Sequence, residues 1–305
     1  PTNRLFIEPT IDINYRVVGS LNISSSSFNT SSLINPRNNS NLREGQSQFF
    51  LDYLFDKQNP EGSFSDIGGL GDMYSTFKVV QTIDDLNKSY LDDPEHQDKV
   101  NKIIKYINNS LDEGGWGFKN NAQAPEADII STYYAIKLAK RLNAVSILKN
   151  NNETIIEYIE SLGNYTVDFS GTYRFSNNSY IITAETTYFG IRSYLEMNGT
   201  YTSFEELSIE IFYYNLFNID GGYSSILLSS ISDISATFYS MWILYYFNNH
   251  SVIPSQTQNY IQNCSKSNGG FGPTPYLNST SNFISGWAAM KSISLLEINE
   301  TDVTI

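Results

Sequence analysis

The sequence predicts an all-α fold in which about five helix pairs close into an α/α toroid, preceded by an extended or strand-like arm. Three observations support this: five internal repeats, one capping position shared by all repeats, and an alternation of amphipathic and apolar helices. The 305 residues accordingly divide into an arm over 1–43 and a toroid over 44–305.

The repeats align on one aromatic residue in each copy. These residues are separated by 56, 55, 50 and 49 positions: Phe77, Tyr133, Tyr188, Phe238 and Trp287. Each copy begins with a glycine-aromatic turn, continues through a polar loop and enters an apolar segment. A period near fifty residues leaves room for two helices and their connections, as in helical repeat proteins.

The apolar helix of each copy follows a short side chain that carries an oxygen or an amide. This position is occupied by Asp72, Asp128, Thr183, Asp233 and Asn282. Such side chains accept hydrogen bonds from the unpaired N–H groups at a helix start. The segments behind them are apolar on most faces, which predicts buried inner helices.

The first helix of each pair is predicted to be amphipathic and to lie outside, for example over 147–159 and 204–217. Alternating inner and outer helices favour a closed toroid, because an open solenoid would need polar capping repeats at both ends.

Residues 1–43 do not follow the repeat. The segment LFIEPTIDINYRVV alternates like a strand and is followed by a stretch rich in Ser and Asn. Two interpretations stay open: an arm packed on the toroid, or a strand that completes a sheet in another chain. We therefore expect a protein partner or self-association through this arm.

Composition excludes several classes of function. Nineteen Lys and Arg stand against 32 Asp and Glu, a formal charge of −13, which argues against a nucleic-acid partner. No run of eighteen apolar residues predicts a transmembrane segment. A single cysteine, Cys264, excludes an internal disulfide and a cysteine-based metal cluster.

Asn-x-Ser/Thr triplets are twice as frequent as composition explains. The 33 Asn and 59 Ser and Thr would produce about six by chance, and the chain has thirteen. They are Asn22, Asn29, Asn38, Asn87, Asn108, Asn152, Asn164, Asn177, Asn198, Asn249, Asn263, Asn278 and Asn299. This excess predicts an extracellular or cell-surface N-glycoprotein, archaeal-like in combining glycan acceptors with a lone cysteine.

The segment GGYSSILLSSISDISATFYSMW resembles the zinc-binding repeat of the protein prenyltransferase β subunit. The likeness to the prenyltransferase/squalene-cyclase superfamily extends over about 44–297 and implies an α/α toroid. It also implies zinc held by an Asp, a Cys and a His, whose positions here carry Asp233, Ser235 and Ser285. Serine hydroxyls are poor zinc ligands at neutral pH.

The resemblance further places diphosphate-binding basic residues at positions that here carry Leu227 and Ser230. Without a cation, nothing there stabilises the leaving group. The cyclase branch's Asp-x-Asp-Asp acid is also absent from the sequence. We therefore expect a pseudoenzyme without catalytic residues, metal or cofactor, acting as a surface protein-binding or assembly module.

A weaker hypothesis concerns the mouth of the toroid, where the capping positions would gather carboxylates beside aromatic side chains. The candidate ligand-binding residues are Asp72, Asp128, Asp233, Trp116, Tyr223, Trp242, Phe271 and Trp287. Carboxylates with aromatic platforms suit a carbohydrate ligand and carbohydrate cleavage. The alternatives are thus a carbohydrate-active or terpenoid-processing enzyme, or a filament or layer subunit joined through the arm. Helix capping and turn formation explain the same residues without any ligand.

Overall fold

The computed structural model describes residues 44–65, 69–164, 169–248, 253–267, 270–276 and 279–302, so the predicted arm over 1–43 lies outside the described residues. Within them the helices are α1 Glu44–Asp56, α2 Met73–Leu86, α3 Gln97–Asn109, α4 Ile129–Arg141, α5 Val145–Asn150, α6 Asn152–Ser161, α7 Ala184–Glu196, α8 Ser203–Tyr214, α9 Ile234–Asn248, α10 Ser255–Asn263 and α11 Phe283–Asp302. Two 3₁₀ turns, Tyr90–Asp92 and Pro94–His96, precede α3.

The helices form the predicted α/α toroid. The inner ring consists of α2, α4, α7, α9 and α11, and successive members of this ring pack against each other. The outer ring consists of α1, α3, the α5–α6 pair, α8 and α10, each preceding its inner partner in the chain. Between α11 and α2 the ammonium group of Lys78 lies 4.6 Å from the ring centre of Trp287. The ends of the repeat array therefore meet.

Short antiparallel ribbons connect outer to inner helices. Strand β1 (Gly163–Asn164) pairs with β2 (Thr172–Tyr173), and β3 (Tyr223–Ser224) pairs with β4 (Ser232–Asp233). In the other repeats, among the described residues, single bridges such as Leu111 with Phe118 replace the ribbon. These pairings fold each glycine-aromatic turn back toward the start of its inner helix.

The mouth of the toroid is held together by hydrogen bonds between neighbouring repeats. The first backbone N–H of each of four inner helices donates to a carbonyl in the loop of the next repeat, at 2.9–3.0 Å. The pairs are Met73 with Asn120, Ile129 with Phe175, Ala184 with Ser225, and Ile234 with Pro273. Because these N–H groups have no partner inside their own helix, the bonds fix each loop above the adjacent helix start.

The single outer helix predicted over 147–159 is wrong in detail, because the structure divides it into α5 and α6. Asn151 stands between them with φ −124° and ψ 20°, outside helical geometry. Its side-chain amide donates to the carbonyl of Ile147 at 2.8 Å, while its own carbonyl accepts from Ile155. An Asn side chain competes in this way with the backbone for helical hydrogen bonds.

The outer helix predicted over 204–217 also differs from expectation. Helix α8 begins at Ser203, where Thr202 and Glu205 form a capping box, and it ends at Tyr214. Its outward face is apolar, with Phe204 and Leu207 each 55% exposed. In the part of the chain that the structure describes, no helix is both long and apolar enough to cross a bilayer.

Candidate functional site

The predicted capping position is confirmed in all five repeats. Asp72, Asp128 and Thr183 accept from the backbone N–H three residues ahead, at 2.7, 2.8 and 3.0 Å. Asp233 accepts from Ser235 and Ala236, and Asn282 accepts from Ser285 at 2.8 Å. Each side chain therefore satisfies N–H groups that the helix itself leaves unpaired.

The three candidate carboxylates direct their oxygens at their own helices. In Asp72 and Asp128 the second oxygen accepts from the hydroxyl of Ser75 and Ser131, at 2.8 and 2.6 Å. Burial raises the pKa of Asp128 and also that of Asp233, although hydrogen bonds to each carboxylate oppose the shift. These contacts give the three residues a structural role, and ligand binding by them stays a prediction.

A threonine four residues after four of the five caps escaped the sequence analysis. The hydroxyl of Thr132 accepts from the backbone N–H of Phe118 at 3.0 Å. The same bond is made by Thr76 to Phe64, Thr187 to Tyr173 and Thr237 to Tyr223. In the fifth repeat this position carries Gly286. The signal was visible in the sequence as a Thr at a constant distance from the cap. The hydrogen bond that this Thr accepts ties the aromatic turn to the inner helix.

The candidate aromatic residues fall into two groups. Trp116, Tyr223 and Phe271 belong to the glycine-aromatic turns: Trp116 is 42% exposed, whereas Tyr223 is fully buried against Phe217, with 5.2 Å between ring centres. Trp242 and Trp287 lie on inner helices instead. The structure thus places only the latter two in the middle of the toroid.

The middle of the toroid is filled by aromatic rings. We call the following residues of α4, α7 and α9 the central cluster: Tyr133, Tyr134, Tyr188, Phe189, Phe238, Tyr239 and Trp242. All seven side chains are only 3–6% exposed. Phe77 of α2 packs on Tyr134 at 4.8 Å, and Trp287 of α11 packs on Phe238 at 4.9 Å. Ring contacts thus extend across all five inner helices.

Arg192 is buried inside the central cluster. Its guanidinium lies 4.5 Å from the ring centre of Trp242, 5.4 Å from Tyr133 and 5.7 Å from Tyr188. Its Nη1 also donates to the Tyr188 hydroxyl at 3.2 Å. Cation–π contacts of a desolvated guanidinium are worth about 2 kcal/mol. Arg192 therefore joins three inner helices at their centre.

One carboxyl that the sequence analysis did not single out lies beside the cluster. Glu185, in the first turn of α7, accepts from the hydroxyl of Tyr239 at 3.1 Å. Its side chain stays accessible to solvent, but the surrounding protein desolvates the carboxylate and raises its pKa. The hydrogen bond from Tyr239 opposes this shift. A carboxyl with a raised pKa beside aromatic rings is a candidate proton donor.

The zinc positions implied by the resemblance do not fit a metal. Asp233 is a helix cap and Ser235 is half-buried. Ser285 is 2% exposed, and its backbone N–H donates a hydrogen bond to the side chain of Asn282. In the described part of the chain, no three His, Cys, Asp or Glu side chains lie close enough to hold an ion. Two hydroxyls and one capping carboxylate lack the thiolate or imidazole that zinc prefers.

The remaining reactive side chains that the structure describes are also engaged structurally. His96 stacks on Tyr90 with 3.9 Å between ring centres, while His250 lies outside the described residues. Cys264 is fully buried, and burial raises the pKa of its thiol to about 12. A thiol with so high a pKa is a poor nucleophile and a poor metal ligand.

Comparisons with known proteins agree with this architecture. The model of the prenyltransferase alpha-alpha toroid domain family matches residues 18–127 and 99–305. A search of curated protein sequences finds no matching relative. Among solved structures, Candida albicans protein geranylgeranyltransferase-I complexed with GGPP is similar with a TM-score of 0.66 and 15% identity, covering 83% of this chain and 78% of that one.

Two further structures are of a type II terpene cyclase, MstE from Scytonema. The apo form has a TM-score of 0.53 and 11% identity, over 83% of this chain and 82% of that one. A variant in complex with geranylgeranyl dihydroxybenzoate has a TM-score of 0.53 and 10% identity, over 84% and 82%. Identities this low establish the shared fold alone.

Proposed function

The chain belongs to the prenyltransferase alpha-alpha toroid family, and we propose that it serves there as a non-catalytic binding module, secreted and N-glycosylated. The observation that carries this proposal is the filled centre of the toroid. Rings from the five inner helices meet where an extended hydrophobic substrate would need room, and the seven rings of the central cluster are 3–6% exposed. A ligand of that kind would have to displace packed aromatic side chains, at a cost of several kcal/mol.

The chemistry of the family's reaction positions supports the same proposal. Asp233 is used as a cap, and the positions that would complete a zinc site carry Ser235 and Ser285. At the diphosphate positions Leu227 packs against the core and Ser230 is exposed. No residue there supplies the positive charge that a departing diphosphate requires.

The exposure of the glycan acceptors supports secretion. Of the predicted acceptors whose side chains the structure describes, six are exposed and Asn164 is half-buried. The six are Asn87, Asn108, Asn152, Asn177, Asn198 and Asn263. Glycan attachment requires accessible Asn side chains. The buried Cys264 suits an oxidising compartment, because a buried thiol of raised pKa resists oxidation.

Three measurements on the purified protein test this proposal. Zinc content by elemental analysis should be far below one ion per chain, and geranylgeranyl or farnesyl diphosphate with a cysteine peptide should give no transfer. The intact mass of the protein from its native source should fall on deglycosylation. Stoichiometric zinc or isoprenoid transfer would overturn the non-catalytic assignment, and a native mass that deglycosylation leaves unchanged would overturn secretion as a glycoprotein.

A second candidate function rests on Glu185. Its raised pKa, its solvent access and its contact with Tyr239 suit an acid that protonates an isoprenoid double bond. The protein would then be a terpenoid-processing enzyme, as two of the similar structures are. Incubation with geranylgeranyl compounds, followed by mass spectrometry, tests this. A product that disappears in Glu185→Gln would favour the enzyme over the binding module.

A further inference from the structure

An apolar stripe runs along the outward face of α8. We define the α8 stripe as Phe204 and Leu207, each 55% exposed, Ile211, 43% exposed, and Tyr214, 39% exposed. The intervals of three, four and three residues are the a/d spacing of a coiled-coil seam. Such side chains line up on one side of a helix and form a continuous apolar ridge.

The α8 stripe does not arise from the way α8 packs on the toroid. The opposite face of the helix contacts the core through Ile209, Phe212 and Tyr213, which are fully buried. Helix α8 is thus apolar on two opposite faces, and only one of them faces the inner ring. The outward face exposes large side chains that lie outside the hydrophobic core cluster of the toroid.

Three of the other outer helices serve as internal controls. On α3, α6 and α10 the exposed side chains are polar or charged, as in Lys102, Lys105, Glu153, Glu157, Gln258 and Gln262. Each of these three helices also carries a predicted glycan acceptor, at Asn108, Asn152 and Asn263, whereas α8 carries none. The repeat architecture alone therefore does not require an apolar outward face, and the glycan pattern leaves α8 uncovered.

The charges around the α8 stripe identify the kind of partner. Residues 193–265 contain no Lys or Arg but six acidic residues. On the helical wheel, Glu206 and Glu210 border the stripe on one side, and among the described residues neither forms an ion pair. Two copies facing each other through α8 would bring these carboxylates together, whereas Lys or Arg would pair with them.

We propose that the α8 stripe binds an amphipathic helix of a partner protein, whose apolar a and d positions are flanked by Lys or Arg. The stripe is about 15 Å long, at about 1.5 Å per residue, so the partner contributes about three helical turns. A contact of about three helical turns is smaller than most specific protein interfaces, so we expect a weak, transient interaction. The inference deepens the proposed binding role, although the stripe would bind such a helix whether or not the toroid is catalytic.

The experiment uses a designed helical peptide of about three heptads with Leu at a and d and Lys at e and g. Binding of the labelled peptide to the purified full chain is measured by fluorescence anisotropy. A second peptide carries Glu at e and g. We expect micromolar binding of the Lys peptide, at least tenfold weaker binding of the Glu peptide, and weakening by added salt.

Two matched pairs of variants locate the binding surface. Leu207→Ser with Ile211→Ser should weaken binding at least tenfold, whereas Ile219→Ser with Leu228→Ser, at fully exposed loop positions, should leave it unchanged. Glu206→Gln with Glu210→Gln should weaken binding about threefold. The same exchange at 153 and 157, two exposed glutamates at equal spacing on α6, should leave it unchanged.

Three results would overturn the proposal. The first is no binding of the Lys peptide, and the second is an equal loss of peptide binding in the control variants. The third is a dimer, observed by sedimentation, that the double substitution Leu207→Ser with Ile211→Ser dissociates. The last would show that a second copy covers the α8 stripe. Zinc and isoprenoid-transfer assays do not involve α8, so a positive result there would remove the non-catalytic assignment and leave this inference standing.

Discussion

Replacing Asp128 by Ala distinguishes a structural cap from a ligand-binding carboxylate. In the folded protein Asp128 is 6% exposed, and it accepts from the backbone N–H of Ser131 at 2.8 Å and from its hydroxyl at 2.6 Å. The Ala variant leaves this N–H without an acceptor in a buried environment. Loss of a cap costs about 0.5–2 kcal/mol, and an unpaired buried donor costs about 1–3 kcal/mol.

We expect a net loss of about 1.5 kcal/mol, because removing a desolvated carboxylate offsets part of the cost. For a chain of 305 residues, with an unfolding entropy of about 2.1 cal/mol/K per residue, that corresponds to a fall in Tm of about 2 °C. Urea and thermal unfolding followed by circular dichroism measure both quantities. Glu157→Ala, an exposed change of equal charge on α6, is the control and should stay within about 0.5 kcal/mol of the parent.

The Asn variant separates the hydrogen bonds from the charge. Asn is as good a cap as Asp, so Asp128→Asn should unfold within about 0.5 kcal/mol of the parent at pH 7. Burial raises the pKa of Asp128, so the folded state keeps this proton at pH values where the unfolded chain has lost it. The parent therefore loses stability as the pH rises from 3.8, the ordinary pKa of an Asp side chain, through the raised pKa of Asp128.

The Asn variant lacks this loss, so its stability relative to the parent should increase between pH 4 and pH 7. A pH-independent difference would refute the role of burial. Unchanged stability of the Asp128→Ala variant, combined with loss of ligand binding or of turnover, would refute the structural role as a cap. It would instead support ligand binding by Asp128 at the mouth of the toroid.

Three further substitutions test the packing of the repeats. Gly286→Ala should stabilise the protein by about 0.5–1 kcal/mol in urea unfolding, because a Cβ there meets nothing within 4 Å, and a loss would contradict this packing. Gly190→Ala should destabilise it by about 1–3 kcal/mol, because the Cβ would lie 2.2 Å from Cγ of Tyr173; unchanged unfolding would show that the contact relaxes freely. Thr132→Val should cost about 1–3 kcal/mol and speed hydrogen exchange at the Phe118 amide, and slow exchange there would show another acceptor.

The aromatic packing in the middle of the toroid is consistent with the non-catalytic role that we propose. A toroid needs close packing among its inner helices, and the central cluster supplies it with rings and with Arg192. Under the binding role that we propose, the inner ring serves as a scaffold, and recognition is placed on one outer helix through the α8 stripe.

Sequence patterns determined the repeats, the caps and the order of inner and outer helices. These features are local. A cap such as Asp72 accepts a hydrogen bond from Ser75, three residues ahead, so the start of a helix depends on neighbouring residues only. The same reasoning identified the family, because the glycine-aromatic turn and the capping residue recur in phase. It failed at Asn151, where a side-chain bond to Ile147 interrupts a helix of good apolar spacing.

Only the tertiary structure decided which apolar face is buried and which aromatic residues meet. Helix α8 is apolar on two sides, so its pattern cannot say whether Leu207 or Ile209 points inward, and the packing of α9 decides it. Trp242 and Tyr223 are both aromatic residues of one repeat, yet one joins the centre and the other a turn. Contacts between residues about fifty positions apart depend on how neighbouring repeats pack against each other, which no local pattern encodes.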